Sequence, residues 1–217
     1  YHFFDIGKHS DYYDDFANRL FTRRVVDRCY LPANRVLLDL IKRYGKNFKV
    51  SFSITGLAIE QFRMYAPEVI DSFKELAETG CVEFLAETYS HSLACVVSEE
   101  EFKHQVKLHI DLIEKVFGVK PVSFRNTELI YSDEIGEMVA KLGFSTMLTE
   151  GARHILGWKS PNYIYTNSIN PKLKLLLKNF RLSDDLAFRF SDHCWEQWPL
   201  TADKYASWLG STEGELI

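Results

Sequence analysis

Acidic residues recur in one kind of place along this chain: Glu87, Glu128 and Glu150 each close a run with strand character, and Asp184 and Asp185 follow another such run. In parallel α/β proteins the active site lies at the carboxyl ends of the strands, so acids at successive exits would share one rim. A single acidic exit is ordinary helix capping, as Ser183-Asp184-Asp185 could be, whereas several together point to a shared pocket. Two chemistries use converging carboxylates. Oxygen ligands can hold a divalent cation, and glycoside hydrolysis uses one carboxylate to attack the sugar carbon while another protonates the leaving oxygen. The histidines do not offer metal spacing: His104 and His109 are five apart on a helical segment, and His2, His9, His154 and His193 are scattered. No metal and no other cofactor is expected. His91, just past the second strand, is the histidine at the rim, and it reads either as a contact to sugar hydroxyls or as a loop hydrogen-bond donor. No Gly-x-Ser-x-Gly elbow supports a Ser-His-Asp or cysteine nucleophile.

The aromatic residues bear on the ligand. Trp158, Tyr163, Tyr165, Trp195 and Trp198 lie in loops or helix starts rather than at core spacing. Exposed rings of this kind stack on the apolar faces of sugars, which makes carbohydrate the leading ligand class; the alternative is that they only cover the rim.

The elements that must position these residues follow from periodicity. Lys49–Thr55 alternates in strand fashion and runs into Gly56, after which helical spacing continues through Leu76. Cys81–Tyr89 reads as a second strand. Ser98-Glu-Glu-Glu101 is a capping box opening a helix whose apolar stripe is Phe102, Val106, Ile110, Ile113 and Phe117, closed by Gly118. Val122–Tyr131 is a third strand, followed by a helix from Ser132 to Leu142. Ser145–Thr149 is a fourth, Lys172–Lys178 a fifth, and Ser183-Asp184-Asp185 starts a further helix. Gly151–Pro171 reads as a ligand-binding surface loop. Alternation of this kind predicts an α/β fold with parallel neighbours, and the lack of a nucleotide-binding glycine loop favours a barrel over an open sheet.

A length of 217 residues with 46% hydrophobic content fits one globular domain over 1–217. A net charge of -4 argues against nucleic acid and polybasic membrane contact, and no apolar run approaches the roughly 20 residues of a membrane span. Cys29, Cys81, Cys95 and Cys194 show no metal or disulfide spacing and read as reduced core thiols; with no signal-peptide pattern, a cytoplasmic protein is expected. The sequence starts at Tyr1 and stops at the strand-like Glu215-Leu-Ile217, so an excerpt of a longer chain is expected.

Val82-Glu-Phe-Leu-Ala-Glu-Thr-Tyr-Ser-His-Ser-Leu93 and Phe124-Arg-Asn-Thr-Glu-Leu-Ile-Tyr131 resemble two signature segments of glycoside hydrolase family 57, in its α-amylase and α-amylase-like group. Phe3–Gly7, Cys29–Asn34, Thr55–Phe62, Thr149–Gly151 and Leu182–Ser191 extend the resemblance over essentially the whole chain. It implies an incomplete seven-stranded (β/α) barrel acting on α-glucans with retention through a Glu nucleophile and an Asp acid/base. Glu128 matches the nucleophile. The family's His-Gln-Pro segment would precede Tyr1, and its acid/base Asp is expected after Ile217, with Asp185 the fallback. Arg125, Glu87, His91, Glu150, Asp184 and Trp158 are the expected substrate contacts, and an α-glucan or maltooligosaccharide the expected partner. The rival readings are an α-amylase-like binding protein without the full catalytic pair, a 4-α-glucanotransferase, and a metal-dependent carbohydrate deacetylase. With about five strands where the resemblance calls for seven, residues 1–217 alone should be poorly soluble or depend on further chain; a monomer unfolding in one cooperative transition without aggregation would overturn that expectation.

Overall fold

The computed structural model describes residues 13–215, so Phe3–Gly7, His2, His9 and the Leu216-Ile217 strand onset lie outside the described residues. The chain divides into two compact units at Pro121 and Val122.

The first unit opens with two helices that the strand–helix pattern left unread, α1 (Asp15–Val25) and α2 (Leu31–Tyr44), joined by a π-helical turn over Val26–Tyr30. Asp14 caps α1, its Oδ1 accepting from the Ala17 N–H at 2.9 Å. Strand β1 (Val50–Phe52) follows, shorter than the alternation implied. The long helix expected through Leu76 is instead two, α3 (Gly56–Tyr65) and α4 (Pro67–Glu78). Pro67 is the cause: its ring excludes helical backbone at Ala66, which sits at φ -157° and ψ 63°. Strand β2 (Val82–Phe84), α5 (Ala94–Val97) and α6 (Glu99–Phe117) complete the unit. Ser98 caps α6 as the capping box predicted, accepting from the Glu101 N–H, and Gly118 ends it in the left-handed region at φ 70°. The buried stripe of α6 carries His109 where Ile110 was expected.

Strands β1 and β2 pair in parallel, Val50 opposite Val82 and Phe52 opposite Phe84. Their apolar side meets α4 and α6 through four phenylalanines. The Phe84 and Phe117 rings stack at 4.2 Å, and Phe73 meets Phe52 edge-on at 5.1 Å.

The second unit runs β3 (Ser123–Arg125), a 3-10 turn (Thr127–Leu129), α7 (Asp133–Lys141), β4 (Thr146–Glu150), α8 (Arg153–Leu156), β5 (Tyr165–Thr166), β6 (Lys174–Lys178), α9 (Phe180–Asp184), a π-helical turn (Asp185–Arg189) and α10 (Ala202–Gly210). The sheet order is β3-β4-β6-β5, parallel except for β5, which lies antiparallel to β6. The segment read as the loop 151–171 therefore supplies a short helix and an edge strand. Register places Phe124, Met147 and Leu175 in one row, all buried, and Arg125, Leu148 and Leu176 in the next, all half-buried on the opposite face. The α/β class with parallel neighbours is as the alternation implied. Of the four cysteines, all free, only Cys81 and Cys95 are buried; Cys29 and Cys194 are exposed, which corrects the reading of all four as core thiols.

Because Phe84 is 1% exposed and packed against Phe117, Phe52 and Phe73, Phe84→Ala should cost about 3–5 kcal/mol of stability. Chemical denaturation of the pair of proteins measures this, and a loss near zero would mean that the ring cluster does not hold the first unit.

Candidate functional site

In the first unit the chain leaves the β2 ladder at Leu85 and buries the next three residues. Glu87 is 1% exposed, its Oε1 accepting from the Ser53 hydroxyl at 2.8 Å. Its N–H donates to His109 Nδ1 at 3.3 Å, and His109 Nε2 lies 2.8 Å from the Ile54 carbonyl. An N–H can only donate, so Nδ1 accepts, the ring proton is on Nε2, and the imidazole is neutral. Burial holds the His109 pKa below its ordinary value, opposed in part by the bond to Ile54. This histidine thus ties the residues leaving β1 to those leaving β2. Set aside as a metal ligand on spacing alone, it could have been found from its place on the apolar stripe of α6, where a polar ring needs two partners.

The following turn places His91 on the surface at φ 54°, its N–H donating to the Thr88 carbonyl at 3.3 Å. Tyr89 donates to Glu60 Oε1, and its phenol is pushed up to about 12, first by burial and then by that carboxylate. Its ring lies so close over α3 that a Cβ on Gly56 would come within 2.5 Å of it, which is why the strand-to-helix junction carries glycine.

In the second unit β3 ends at Arg125 and the backbone turns sharply. Asn126 and Thr127 are buried, whereas Glu128 is exposed at φ 53° and ψ 18°, with Leu129 also left-handed at φ 58°. The turn is held from several sides. The Leu129 N–H donates to the Asn126 carbonyl at 3.0 Å and the Ile130 N–H to that of Thr127 at 3.1 Å. Asn126 Nδ2 donates to the Ile130 carbonyl at 2.9 Å, and the Thr149 hydroxyl, from β4, donates to the Leu129 carbonyl at 3.2 Å. Glu128 is therefore presented to solvent at a strand exit on a backbone that its neighbours fix.

A cavity of about 380 Å³ beside this turn is bordered by Arg125, Leu129, Thr149, Leu176, Lys178 and Ser183. Lys178 stands opposite Glu150 in register, lies 3.2 Å from Asp184 Oδ1 and sits over the Phe180 ring at 4.7 Å. The structure thus gathers Arg125, Glu150, Asp184 and the unforeseen Lys178 around the ends of three parallel strands. Asp185 is 3% exposed with Arg189 Nη1 at 2.5 Å from its Oδ1. Helix α9 begins at Phe180, with Asn179 Oδ1 accepting from the Leu182 N–H at 3.1 Å, so Asp184 closes that helix and does not cap its start as Ser183-Asp184-Asp185 had implied. Trp158 is 93% exposed, available for stacking. Among the described residues no three His, Cys, Asp or Glu side chains gather as a metal site.

The neutral His109 sets a pH dependence. Its folded pKa is depressed, so as pH falls below about 6.5 the unfolded chain takes up a proton that the native state refuses, and stability drops until the folded value is passed. His109→Ala should remove that contribution and, by orphaning the Glu87 N–H and the Ile54 carbonyl, cost roughly 2–6 kcal/mol at neutral pH. Unfolding curves of both proteins between pH 5 and 8 check this; parallel stability profiles would show that the histidine does not titrate in this way.

Comparison with known proteins places this geometry. The profile of glycosyl hydrolase family 57 matches residues 3–217. A Methanocaldococcus jannaschii protein provisionally named an alpha-amylase is 47% identical over 207 residues, covering 95% of this chain and 44% of that protein. The crystal structure of 4-alpha-glucanotransferase from Thermococcus litoralis is similar at a TM-score of 0.70 and 16% identity, over 89% of this chain and 29% of that one. A branching enzyme of family 57 from Thermococcus kodakaraensis, solved in complex with glucose, is similar at 0.63 and 12% identity, over 81% and 45%. The chain spans less than half the length of each of these proteins. With a family profile matching nearly every residue, the chain belongs to glycosyl hydrolase family 57.

Proposed function

We propose that the chain carries the nucleophile of a retaining α-glucan hydrolase, acting on starch or maltooligosaccharides within a single incomplete seven-stranded (β/α)-barrel domain. The observation that carries this reading is Glu128: an exposed carboxylate at the exit of β3, on a left-handed turn held by Asn126 and Thr149. A strained backbone kept in place at a strand end is how a reacting group is aimed. In this mechanism Glu128 attacks the anomeric carbon as the glycosidic bond breaks, an acid gives its proton to the leaving oxygen, and water then releases the covalent glycosyl-enzyme with the acid acting as base.

Arg125, Glu150 and Asp184, with Lys178 between the two acids, are proposed to hold sugar hydroxyls by charge-assisted hydrogen bonds. Trp158 is proposed to stack on a sugar ring; within the first unit, His91 and the buried Glu87 are proposed as sugar contacts of their own. The acid/base is assigned to an Asp outside residues 1–217, with Asp185 the fallback. Transfer to a second sugar in place of water, as the name of the Thermococcus litoralis enzyme describes for that protein, would use the same first step. No helix among the described residues is long and apolar enough to cross a membrane, and the free thiols fit the proposed cytoplasmic setting.

In the full-length enzyme Glu128→Gln should nearly abolish turnover of maltooligosaccharides while leaving the melting temperature and oligosaccharide binding in place. Hydrolysis at close to the native rate would remove Glu128 from the mechanism. If the side chain instead serves only as a rim partner of Arg125, stability falls and the rate per folded molecule does not.

A further inference from the structure

We propose that the second unit holds a separate binding site for a non-reacting glucosyl unit, in a cavity of about 400 Å³ between α8, β5 and β6. The inference rests on the α-glucan reading above and deepens it by giving the substrate a second point of attachment.

The cavity has two unlike sides. Its apolar side is Leu175 and Leu177, which share one face of β6 by alternation, extended by Ile155 and Leu156 of α8. Tyr165 closes an edge, its hydroxyl donating to the Ser160 carbonyl at 2.7 Å. The polar side is a fixed array around Asp133. Oδ1 of Asp133 accepts from the Tyr131 hydroxyl at 2.7 Å and Oδ2 from that of Ser168. Tyr131 in turn accepts from Asn167 Nδ2 at 2.8 Å. Asn167 is fully buried against α7, where a Cβ on Gly136 would come within 2.4 Å of its Nδ2. The bonds from Ser168 and Tyr131 hold the Asp133 carboxyl below its usual range, so the array presents an anionic acceptor. Lys159 adds a donor at the other edge, beside the Glu150 already assigned to the rim.

A pyranose ring has the same division, a face of C–H groups and a rim of hydroxyls that both donate and accept. The volume lies at the small end of the ~300–1,000 Å³ typical of ligand sites, which suits one ring better than an extended chain. The location is informative as well. Tyr131 and Asp133 lie three and five residues beyond Glu128, and Glu150 follows the Thr149 that braces the Glu128 turn. A glucosyl unit anchored here is remote from the bond that breaks, and its binding energy adds to the hold on the substrate.

The test uses the full-length protein with Glu128→Gln, so that substrate is not consumed, and calorimetric titration with maltoheptaose. Adding Ile155→Asp puts a charge on the apolar side at a side chain that is 77% exposed, where the fold is not at stake. Thr166→Trp, which fills the mouth from the exposed edge strand, is the second variant. Each should weaken binding about tenfold with an unchanged melting temperature. If maltoheptaose binds the Glu128→Gln protein and both added variants bind it equally well, the second site is overturned while the α-glucan reading stands. If the Glu128→Gln protein does not bind maltoheptaose at all, the α-glucan reading fails and this inference falls with it.

Discussion

Glu128 and Leu129 sit consecutively at φ 53° and 58°, where a Cβ crowds the following carbonyl, at a cost of order 1–3 kcal/mol for each residue. Neither is glycine, so the conformation persists only because its surroundings leave no alternative. The restraint begins in the sheet. Phe124 is fixed in the buried Phe124–Met147–Leu175 row, and this sets where β3 ends. Asn126 then closes the turn on itself through the Ile130 carbonyl, and Thr149 crosses from β4 to hold Leu129. Because Thr149 and Glu150 are adjacent in β4, the bond that fixes the Glu128 turn also fixes the start of the rim that Glu150 and Lys178 share.

The two carboxylates that close strands in corresponding places, Glu87 and Glu128, meet opposite environments. Glu87 is sealed in with Ser53 and the neutral His109, whereas Glu128 is turned out to water by the left-handed backbone. A buried carboxylate with fixed partners orients its surroundings, and an exposed one at a strand end is open to solvent. The contrast follows from backbone geometry after each strand, since the residue type is the same.

The strand exits were legible in the sequence because period-2 alternation marks strands whatever their length, and acids at the ends of such runs stand out. Ladder lengths were not, since extended chain outside a ladder alternates equally well: residues 85–89 continue the pattern of β2 without its pairing, apart from a bridge at Ala86. Helix α2 carries a stripe at Asn34, Leu38 and Ile41 that helical spacing makes visible, whereas α1 buries Asn18 and Thr22, polar residues that no apolar periodicity marks. The break at Pro67 was visible in the residue itself. His109 and Lys178 needed the third dimension, because each acts through groups brought to it from other elements, Ile54 and Glu87 in one case and the register partner Glu150 in the other.

Asp185 shows where residue type and role separate. A general acid has to bring its proton within hydrogen-bond reach of the leaving oxygen, which requires an open oxygen facing the substrate. Asp185 is 3% exposed and gives Oδ1 to Arg189 across one turn of a π-helical segment, beside Tyr205, whose phenol is pushed up by burial and, secondarily, by the Asp185 charge. The carboxylate is buried and Arg189 reaches it from the surface, so losing the guanidinium would leave a buried charge without compensation. In the conformation described, the pair fixes the path of the chain from α9 into the aromatic segment that follows, and Asp185 as fallback acid would have to release Arg189. Its neighbour Asp184, half-buried and reached by Lys178, is the one of the two acids directed to the rim, so the Asp184-Asp185 pair sends one carboxylate to the surface and one inward.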